Sequence, residues 1–505
     1  MAPKKSKPPP SSALQRARAE RGDAPAKKDA PADERKPVRP PPRKTKRSER
    51  AMPTGLISRS TRLAATSFKS SVKLALVVPR KLLDKSSVPG ALSQAHSNTA
   101  LELLQTLGRL KGVSMKVGQL ASFIDAGVLP PEIRDLYQQV LGSLRDAAPA
   151  MDPKLVRQAF IREFDVEPEE LFASFEMKPI AAASLGQVHL ATLADGREVA
   201  VKVQYPGIVE AIKSDLTMTS AMKPLMPLLA PGLDAGEALK EIRSRVLEEC
   251  DYTFEAENLD FLADQYQDHP FIWVPRSIPE RSTERILTME RAKGVPFAEI
   301  KNLPQKQRDR IGEILFRFYY GSLHRFGFTS ADPHPGNYLL MDDGRIAFFD
   351  FGLACNLPSG LGPRMHQGLV ALRDGEVDEF YDLAISMGYI RNKDGVDSRR
   401  FFKWASLSLA PVAKDAKYTF TREFIAERTS AMMDMRNPWW SFLRKLNLPT
   451  WGLLMYRLEL GLFAVLAQLG ATGNWHRISM EFYSDGPPST ALGRKDAAWQ
   501  KSRLN

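Results

Sequence analysis

The strongest constraint on this chain is a carboxylate, an amide and a second carboxylate at fixed intervals. In TSADPHPGNYLLMDDGRIAFFDFG, Asp332 is followed by Asn337 five positions on, and by Asp350 thirteen positions after that. Between the last two, YLLMDDGRIAFF reads as a strand, an Asp-Gly turn and a second strand, which returns Asp350 to the side of Asn337. Such a set suits chemistry on phosphate groups. That chemistry needs a carboxylate near the attacking oxygen and oxygen ligands for magnesium. Asp332 fits the first role, and Asn337 and Asp350 fit the second. His334, between two prolines, is expected to fix the turn as a hydrogen-bond donor.

Length and charge set the frame. The 505 residues allow two or three domains, or one two-lobed catalytic domain with extensions, and 43% hydrophobic with 26% charged residues describe an ordinary globular core. Two cysteines, Cys250 and Cys355, cannot form a disulfide framework and read as small buried side chains in a reducing compartment. Residues 1–50 hold 16 Lys and Arg against 6 Asp and Glu, so +10 of the net +12 sits there and only +2 on the rest. With ten prolines and few large apolar residues, this segment is expected to be a disordered basic tail. It lacks the apolar core of a signal peptide, and its acids and prolines argue against a mitochondrial transit peptide. Solubilisation is its favoured role, ahead of attachment to anionic lipid, and nucleic acid is not expected as a partner.

From Met52 to about Lys85, Leu56, Leu63, Phe68, Val72 and Leu76 alternate with Arg59, Arg62, Lys69 and Lys73, a basic amphipathic helix that can lie at a membrane interface or pack on the protein. Ser97 to Asp125 is a second helix ending in KGVSMKVGQLAS, where Gly112 and Gly118 suggest close approach of another backbone. Lys116 and Gln119, three apart, share a face, which spacing alone assigns to solvent. After Met151 the pattern changes. Asp152 and Pro153 open a helix, and Val188–Leu193 with Arg197–Val203 alternate around Asp195-Gly196 as a hairpin.

Several of these features match protein kinases. Their catalytic loop places Asp, Asn and Asp-Phe-Gly in this order, and Val199-Ala200-Val201-Lys202 matches the strand whose Lys reaches the α- and β-phosphates. Where kinases carry glycines, this chain has a small-residue loop, Ala181-Ala182-Ala183-Ser184. Alanine admits close backbone approach but forbids left-handed conformations, so a different nucleotide grip is expected. Gly236 to about Gln267 reads as one long charged helix with Glu248, Asp251 and Glu255 on one stripe. Glu249 lies about 120° from Glu255 on it. A kinase needs one such Glu to orient its Lys, and Glu248 reads as solvated. RILTMERAKG reads as a strand into a hinge, whose backbone at Met289, Glu290 and Ala292 would meet an adenine edge. Residues 306–327 form a helix with Ile311, Ile314, Leu315, Phe318 and Leu323 as its core stripe. Beyond Gly352 there is no Ala-Pro-Glu, so the usual peptide platform is not expected. Pro449 to Leu469 is the most apolar run, yet it carries Arg457 and Glu459 at its middle. Each charge would cost about 2.5–3.5 kcal/mol at a bilayer centre, which favours a buried helix over a span.

Assembled, these residues resemble the UbiB-type atypical kinases, over about residues 97–485. The resemblance rests on Lys116-Val117-Gly118-Gln119 as K-x-G-Q, Ala181–Ser184 as the alanine-rich loop, Glu249-Cys250-Asp251 as E-x-D, Glu255 as the Lys-pairing Glu, ADPHPGN, and DFG. It implies an α+β fold: a two-lobed protein-kinase-like body, a helical N-terminal extension over the active site, and a mostly helical C-lobe. The divisions expected are a tail at 1–50, the extension at 51–150, an N-lobe at 151–292, a C-lobe at 293–485 and a C-terminal tail at 486–505. The resemblance also carries Lys116 and Gln119 into the nucleotide pocket beside Glu249 and Asp251, as a gate. It implies ATP and Mg2+ as cofactors, with Asp332, Lys202 and Glu255 catalytic. The function implied is a magnesium-dependent ATPase or small-molecule kinase supporting ubiquinone and prenyl-lipid metabolism at a membrane surface. The alternatives are a protein kinase and a nucleotide-binding scaffold without turnover. Expected partners are ATP, a prenyl-lipid or quinone precursor, an anionic membrane surface and proteins of quinone biosynthesis. The expected location is cytoplasmic, peripheral at the inner face of a membrane.

Overall fold

The structure is a computed structural model that describes residues 151–183, 185–210, 212–213, 235–391, 395–433, 437–447, 449–483 and 486–504. The expected tail at 1–50, the extension at 51–150 with Lys116 and Gln119, and Ser184 lie outside the described residues.

Helix α1 (Pro153–Phe164) starts as the sequence predicts. Asp152 Oδ1 accepts the amide of Lys154 at 2.9 Å, and Pro153 fills the first turn. A five-stranded antiparallel sheet follows. Strands β3 (Gly186–Thr192) and β4 (Glu198–Gln204) form its central hairpin. β1 (Ser174–Phe175) and β2 (Ala181–Ala183) share the outer edge of β3, and β6 (Ile286–Glu290) flanks β4. Side chains alternate across β4. Val199, Val201 and Val203 pack with Val156 and Phe160 of α1, and Ala200 and Lys202 face the other way. Each fully buried apolar side chain here contributes about 1.5–3 kcal/mol.

Two expectations are corrected on this side. Ala181–Ala183 is a strand paired with Gly186–Val188, because the ladder satisfies backbone groups that a loop would leave to solvent. The single helix over 236–267 is two: α2 (Ala235–Glu248) and α3 (Tyr252–Gln265). The break has a local cause. Asp251 caps α3 by accepting the amide of Thr253 at 2.9 Å, the carbonyl of Cys250 accepts from Gln204 at 2.9 Å, and the amide of Tyr252 donates to Glu284. Cys250 itself is buried among Leu185, Ile208, Val209 and Ile212.

The second half is built on α4 (Gln305–Phe326), whose expected core stripe is fully enclosed. Around it lies a mixed sheet in the order β5 (Ile272–Trp273), β10 (Ile346–Phe348), β9 (Tyr338–Leu340), β7 (Val295–Pro296), beside the pair β8 (Phe328–Ser330) and β11 (Ala354–Asn356). The β9–β10 hairpin is the predicted one, and Gly344 takes the positive φ of its turn, +80°. Helices α5 (Leu361–Asp374), α6 (Val377–Ser386), α7 (Ser398–Ser408), α8 (Arg422–Met433), α9 (Thr450–Leu469) and α10 (Trp475–Tyr483) complete this part. No helix among the described residues is long and apolar enough to cross a membrane. The expected C-terminal tail is instead helix α11 (Ala491–Leu504), anchored by Leu492, Trp499 and a buried Asp496.

Candidate active site

The inner face of β4 carries the first half of the site. Lys202 Nζ pairs with Glu255 Oε1 of α3 and lies 3.4 Å from Asp350 Oδ2, just beyond β10. Burial pulls the Lys202 ammonium down, and Asp350 and Glu255 together more than reverse this, so it is held above its ordinary value. Burial pushes the Glu255 carboxyl up, Lys202 opposes, and Asp350 pushes it up again, for a net rise. For Lys202 the two carboxylates outweigh burial, whereas for Glu255 burial together with Asp350 outweighs the single ammonium, so the cluster carries one negative charge in excess.

Helix α3 grips the Asp-Phe-Gly stretch at a second point. Asn258, one turn after Glu255, donates Nδ2 to the carbonyl of Phe351 at 3.0 Å. Sequence spacing alone assigns Asn258 no role. Its signal was an Asn at i+3 from the pairing Glu, on a face that is otherwise apolar.

The loop that carries Asp332 and Asn337 supplies the second half. Asp332 donates its amide to Ser330 Oγ at 3.2 Å, and Asn337 Nδ2 donates to both the carbonyl (3.0 Å) and Oδ2 (3.1 Å) of Asp332. Arg457, from the middle of α9, donates Nη2 to Asp332 Oδ1 at 2.9 Å. The amide of Phe349 donates to the carbonyl of Asn337 at 3.2 Å, which ties the loop to Asp350 across the hairpin. His334 does fix the turn, but as an acceptor: its Nδ1 takes the amide of Gly336 at 3.0 Å. The expectation of a donor had the role reversed, because the amide of a residue following Pro335 is the group that needs a partner here.

Strand register sorts the nucleotide-facing candidates. Ala181, Val188, Lys202 and Leu287 stand in line across four strands, so the methyl of Ala181 shares the face of Lys202, as does that of Ala183 two positions on. Ala182 lines up with Gln187 and Val203 and belongs to the opposite face. Ala200 and Met289 are paired on the Lys202 face. The amides of Glu290 and Arg291 are already committed to the carbonyls of Arg276 (2.9 Å) and Glu198 (3.2 Å), which leaves Ala292 as the predicted hinge residue beyond the ladder. The E-x-D acids are in the turn between α2 and α3, so the angle expected from one continuous helix does not apply. Asp251 faces Thr253, and Glu248, read as solvated, pairs with Arg245 at 3.0 Å and is mostly buried.

Magnesium and ATP are tested by the donor set. No group of three or more His, Cys, Asp or Glu among the described residues could hold a metal by itself. Magnesium needs no such group, being bound by one or two protein oxygens with phosphates and water completing its shell. Asp350 supplies a carboxylate in a locally anionic cluster. The amide nitrogen of Asn337 is engaged by Asp332, so its oxygen is the atom it would offer a hard cation. The residues fit.

Comparison with known proteins places this geometry. Residues 143–382 match the family model described as the ABC1 atypical kinase-like domain. The chain is similar to "Atypical kinase COQ8B, mitochondrial" of Rattus norvegicus, 31% identical over 67% of this chain and 64% of that protein. It is similar to "Atypical kinase COQ8, mitochondrial" of Saccharomyces cerevisiae, 28% identical over 74% of each. This chain thus spans slightly less than two thirds of the rat relative's length. Among solved structures, an Rv3197–erythromycin complex from Mycobacterium tuberculosis aligns with a TM-score of 0.58 and 31% identity, over 79% of this chain and 99% of that one.

Proposed function

The chain belongs to the ABC1 atypical kinase-like family, the UbiB type named above, and on that premise we propose that it is a magnesium-dependent ATPase or small-molecule kinase supporting ubiquinone and prenyl-lipid metabolism at a membrane surface. The observation that carries the reading is the convergence of Lys202, Glu255 and Asp350 with a hydrogen-bonded Asp332–Asn337 pair, joined through one hairpin.

In this reading Lys202, oriented by Glu255, holds the α- and β-phosphates. The backbone of Ala181–Ser184 approaches the phosphates from the edge of the sheet. Ala200 and Met289 line the base, with the Ala292 backbone at its edge in place of the wider Met289–Ala292 stretch. Asp350 and Asn337 hold magnesium, which when bound neutralises phosphate charge. Asp332 faces the attacking oxygen, and its two hydrogen-bonded carboxylate oxygens keep it oriented. Lys116 and Gln119 gate this pocket against Glu249 and Asp251. The relatives named atypical kinases and the quinone role implied by the motifs support the metabolic setting. Membrane work is peripheral here, since Arg457 and Glu459 of the most apolar helix are both engaged by protein groups.

The test is ATP turnover by the full chain, with and without anionic vesicles and a quinone-precursor analogue, beside Asp350→Asn. Saturating Mg-ATP should stabilise the wild type by about 2.7 kcal/mol at one hundred times its Kd. A neutral amide in place of the charged oxygen ligand should remove that stabilisation. Its survival in Asp350→Asn would overturn the metal assignment.

A further inference from the structure

Helix α9 meets the catalytic loop with two residues one turn apart. Arg457 donates Nη2 to Asp332 Oδ1 at 2.9 Å and Nε to the carbonyl of Ala331 at 3.3 Å. At Gly461, a Cβ would stand 2.7 Å from Pro333 Cγ, closer than real side chains approach, so only glycine lets the helix sit this near. One helix face therefore touches residues 331, 332 and 333 in succession. The Asp332 carboxylate is held at both ends, Oδ1 by Arg457 and Oδ2 by Asn337 at 3.1 Å. It cannot rotate about Cβ–Cγ without breaking both bonds, one of them charge-assisted. The Arg457 and Asp332 side chains are only 18% and 26% exposed, so water replaces these bonds poorly.

We propose that Arg457 is a positioning residue for phosphoryl transfer: it fixes the plane of the Asp332 carboxylate, so that the lone pairs left over face the acceptor oxygen. The inference rests on Asp332 being the acceptor-facing carboxylate of the reading above. It requires arginine in particular. Two donors of one planar guanidinium meet two acceptors of the loop, and a lysine ammonium on a flexible stem cannot reproduce that fork. A carboxylate free to swing loses the alignment on which transfer depends, and misplacement on the 1 Å scale costs about 100-fold in rate.

The experiment uses the full chain and compares wild type, Arg457→Ala, Arg457→Lys, Asp332→Asn and the Arg457→Ala/Asp332→Asn double variant. The readouts are ATP turnover, KM for ATP, the thermal shift given by Mg-ATP, and turnover with tens of millimolar ethylguanidinium. Arg457→Ala should lose about 10- to 100-fold in kcat, keep its KM within about twofold and keep its thermal shift, since the nucleotide grip lies elsewhere. Ethylguanidinium should restore turnover saturably in Arg457→Ala and not in wild type, Asp332→Asn or the double variant. A KM that rises with the loss, or a loss that ethylguanidinium does not repair in folded protein, overturns the proposal. If Arg457→Ala does not fold, Arg457→Lys decides: a kcat loss at wild-type melting temperature supports the proposal, and wild-type kcat overturns it. Full turnover by Asp332→Asn would instead overturn the reading of Asp332 on which the proposal stands.

Discussion

The C-terminal helix offers the sharpest test of how this fold is held together. Asp496 of α11 is 2% exposed, yet it is ionised in a network. Its Oδ2 accepts Arg325 Nη2 at 2.5 Å, its Oδ1 accepts Arg325 Nη1 at 3.1 Å, and Arg317 lies 3.6 Å away. His269 Nδ1 accepts the amide of Ile272 at 3.1 Å, so the ring hydrogen is on Nε2 and points at Asp496. Burial pushes the Asp496 carboxyl up, but the His269 hydrogen bond and Arg325 outweigh it and hold it well below the usual carboxylate range. His269 is pushed down by burial and stays a neutral donor.

Asp496→Asn preserves shape, removes the charge and turns one acceptor into a donor facing donors. Arg317 retains Glu481 at 2.8 Å and Glu313 at 2.7 Å, so Arg325 is the cation left without its counter-charge. Breaking a buried pair costs about 3–5 kcal/mol. Arg325 is 16% exposed and can recover some hydration, which places the expected loss near the lower end, about 3 kcal/mol. At about 2 °C per kcal/mol for a chain of this size, Tm should fall by about 6 °C at pH 7. The pH dependence has a definite sign. A carboxyl depressed in the fold contributes stability above its unfolded value and loses it as pH falls below that value. Wild type should therefore lose Tm more steeply than Asp496→Asn between about pH 5 and pH 3. Calorimetry across that range checks both. A drop under about 2 °C at pH 7, or parallel acid slopes, would refute the reasoning.

Two further outcomes follow from local geometry. Ala183→Val, on the Lys202 face of β2, should abolish the Mg-ATP thermal shift, whereas Ala182→Val, itself exposed and on the opposite face, should leave it intact; equal effects would mean that the register does not set the pocket wall. Asp251→Ala should cost about 1 kcal/mol by removing the α3 cap, while Asp251→Asn, a good cap residue, should melt like wild type; identical melts for the two variants would show that the cap contributes nothing.

What could be read from the sequence was whatever depends on spacing along one element. The β9–β10 hairpin and its glycine turn, the cap of α1 and the core stripe of α4 all follow from local periodicity. So does the strand that carries Lys202. The break at Glu249–Asp251 did not, because helical period continues through it in the sequence. The tertiary claims of Gln204 on Cys250 and of Glu284 on Tyr252 join the Asp251 cap in making the backbone leave the helix. Helix α11 was missed for a related reason. Its sequence is polar and weakly patterned, and its place depends on Arg325 and His269, which lie 171 and 227 positions away from Asp496 in the chain. For Asn258 the spacing from Glu255 is the one signal in the sequence, and it does not name the Phe351 carbonyl that the buried amide serves.

The two charges of α9 show how far one sequence anomaly can lead. Their presence in the most apolar run was enough to disfavour a membrane span, but not to say what they serve. Arg457 and Glu459 are two positions apart, which separates them by about 200° around a helix, so they point in nearly opposite directions. Arg457 goes to Asp332 at 2.9 Å, and Glu459 accepts from Arg428 of α8 at 2.8 Å and from the Tyr320 hydroxyl at 3.1 Å. Each charge is matched on its own side, which offsets the penalty of placing it in a low-dielectric interior. Between them, Leu458 and Leu462 are fully enclosed in the core. The helix is thus a strut, with the Asp332 loop fastened to one side and the helical bundle to the other. A change at Glu459 would loosen the strut from α8 while leaving the Arg457–Asp332 contact formally intact. Of the two charges inside this apolar helix, Arg457 is therefore the point at which the core takes hold of the Asp332 loop.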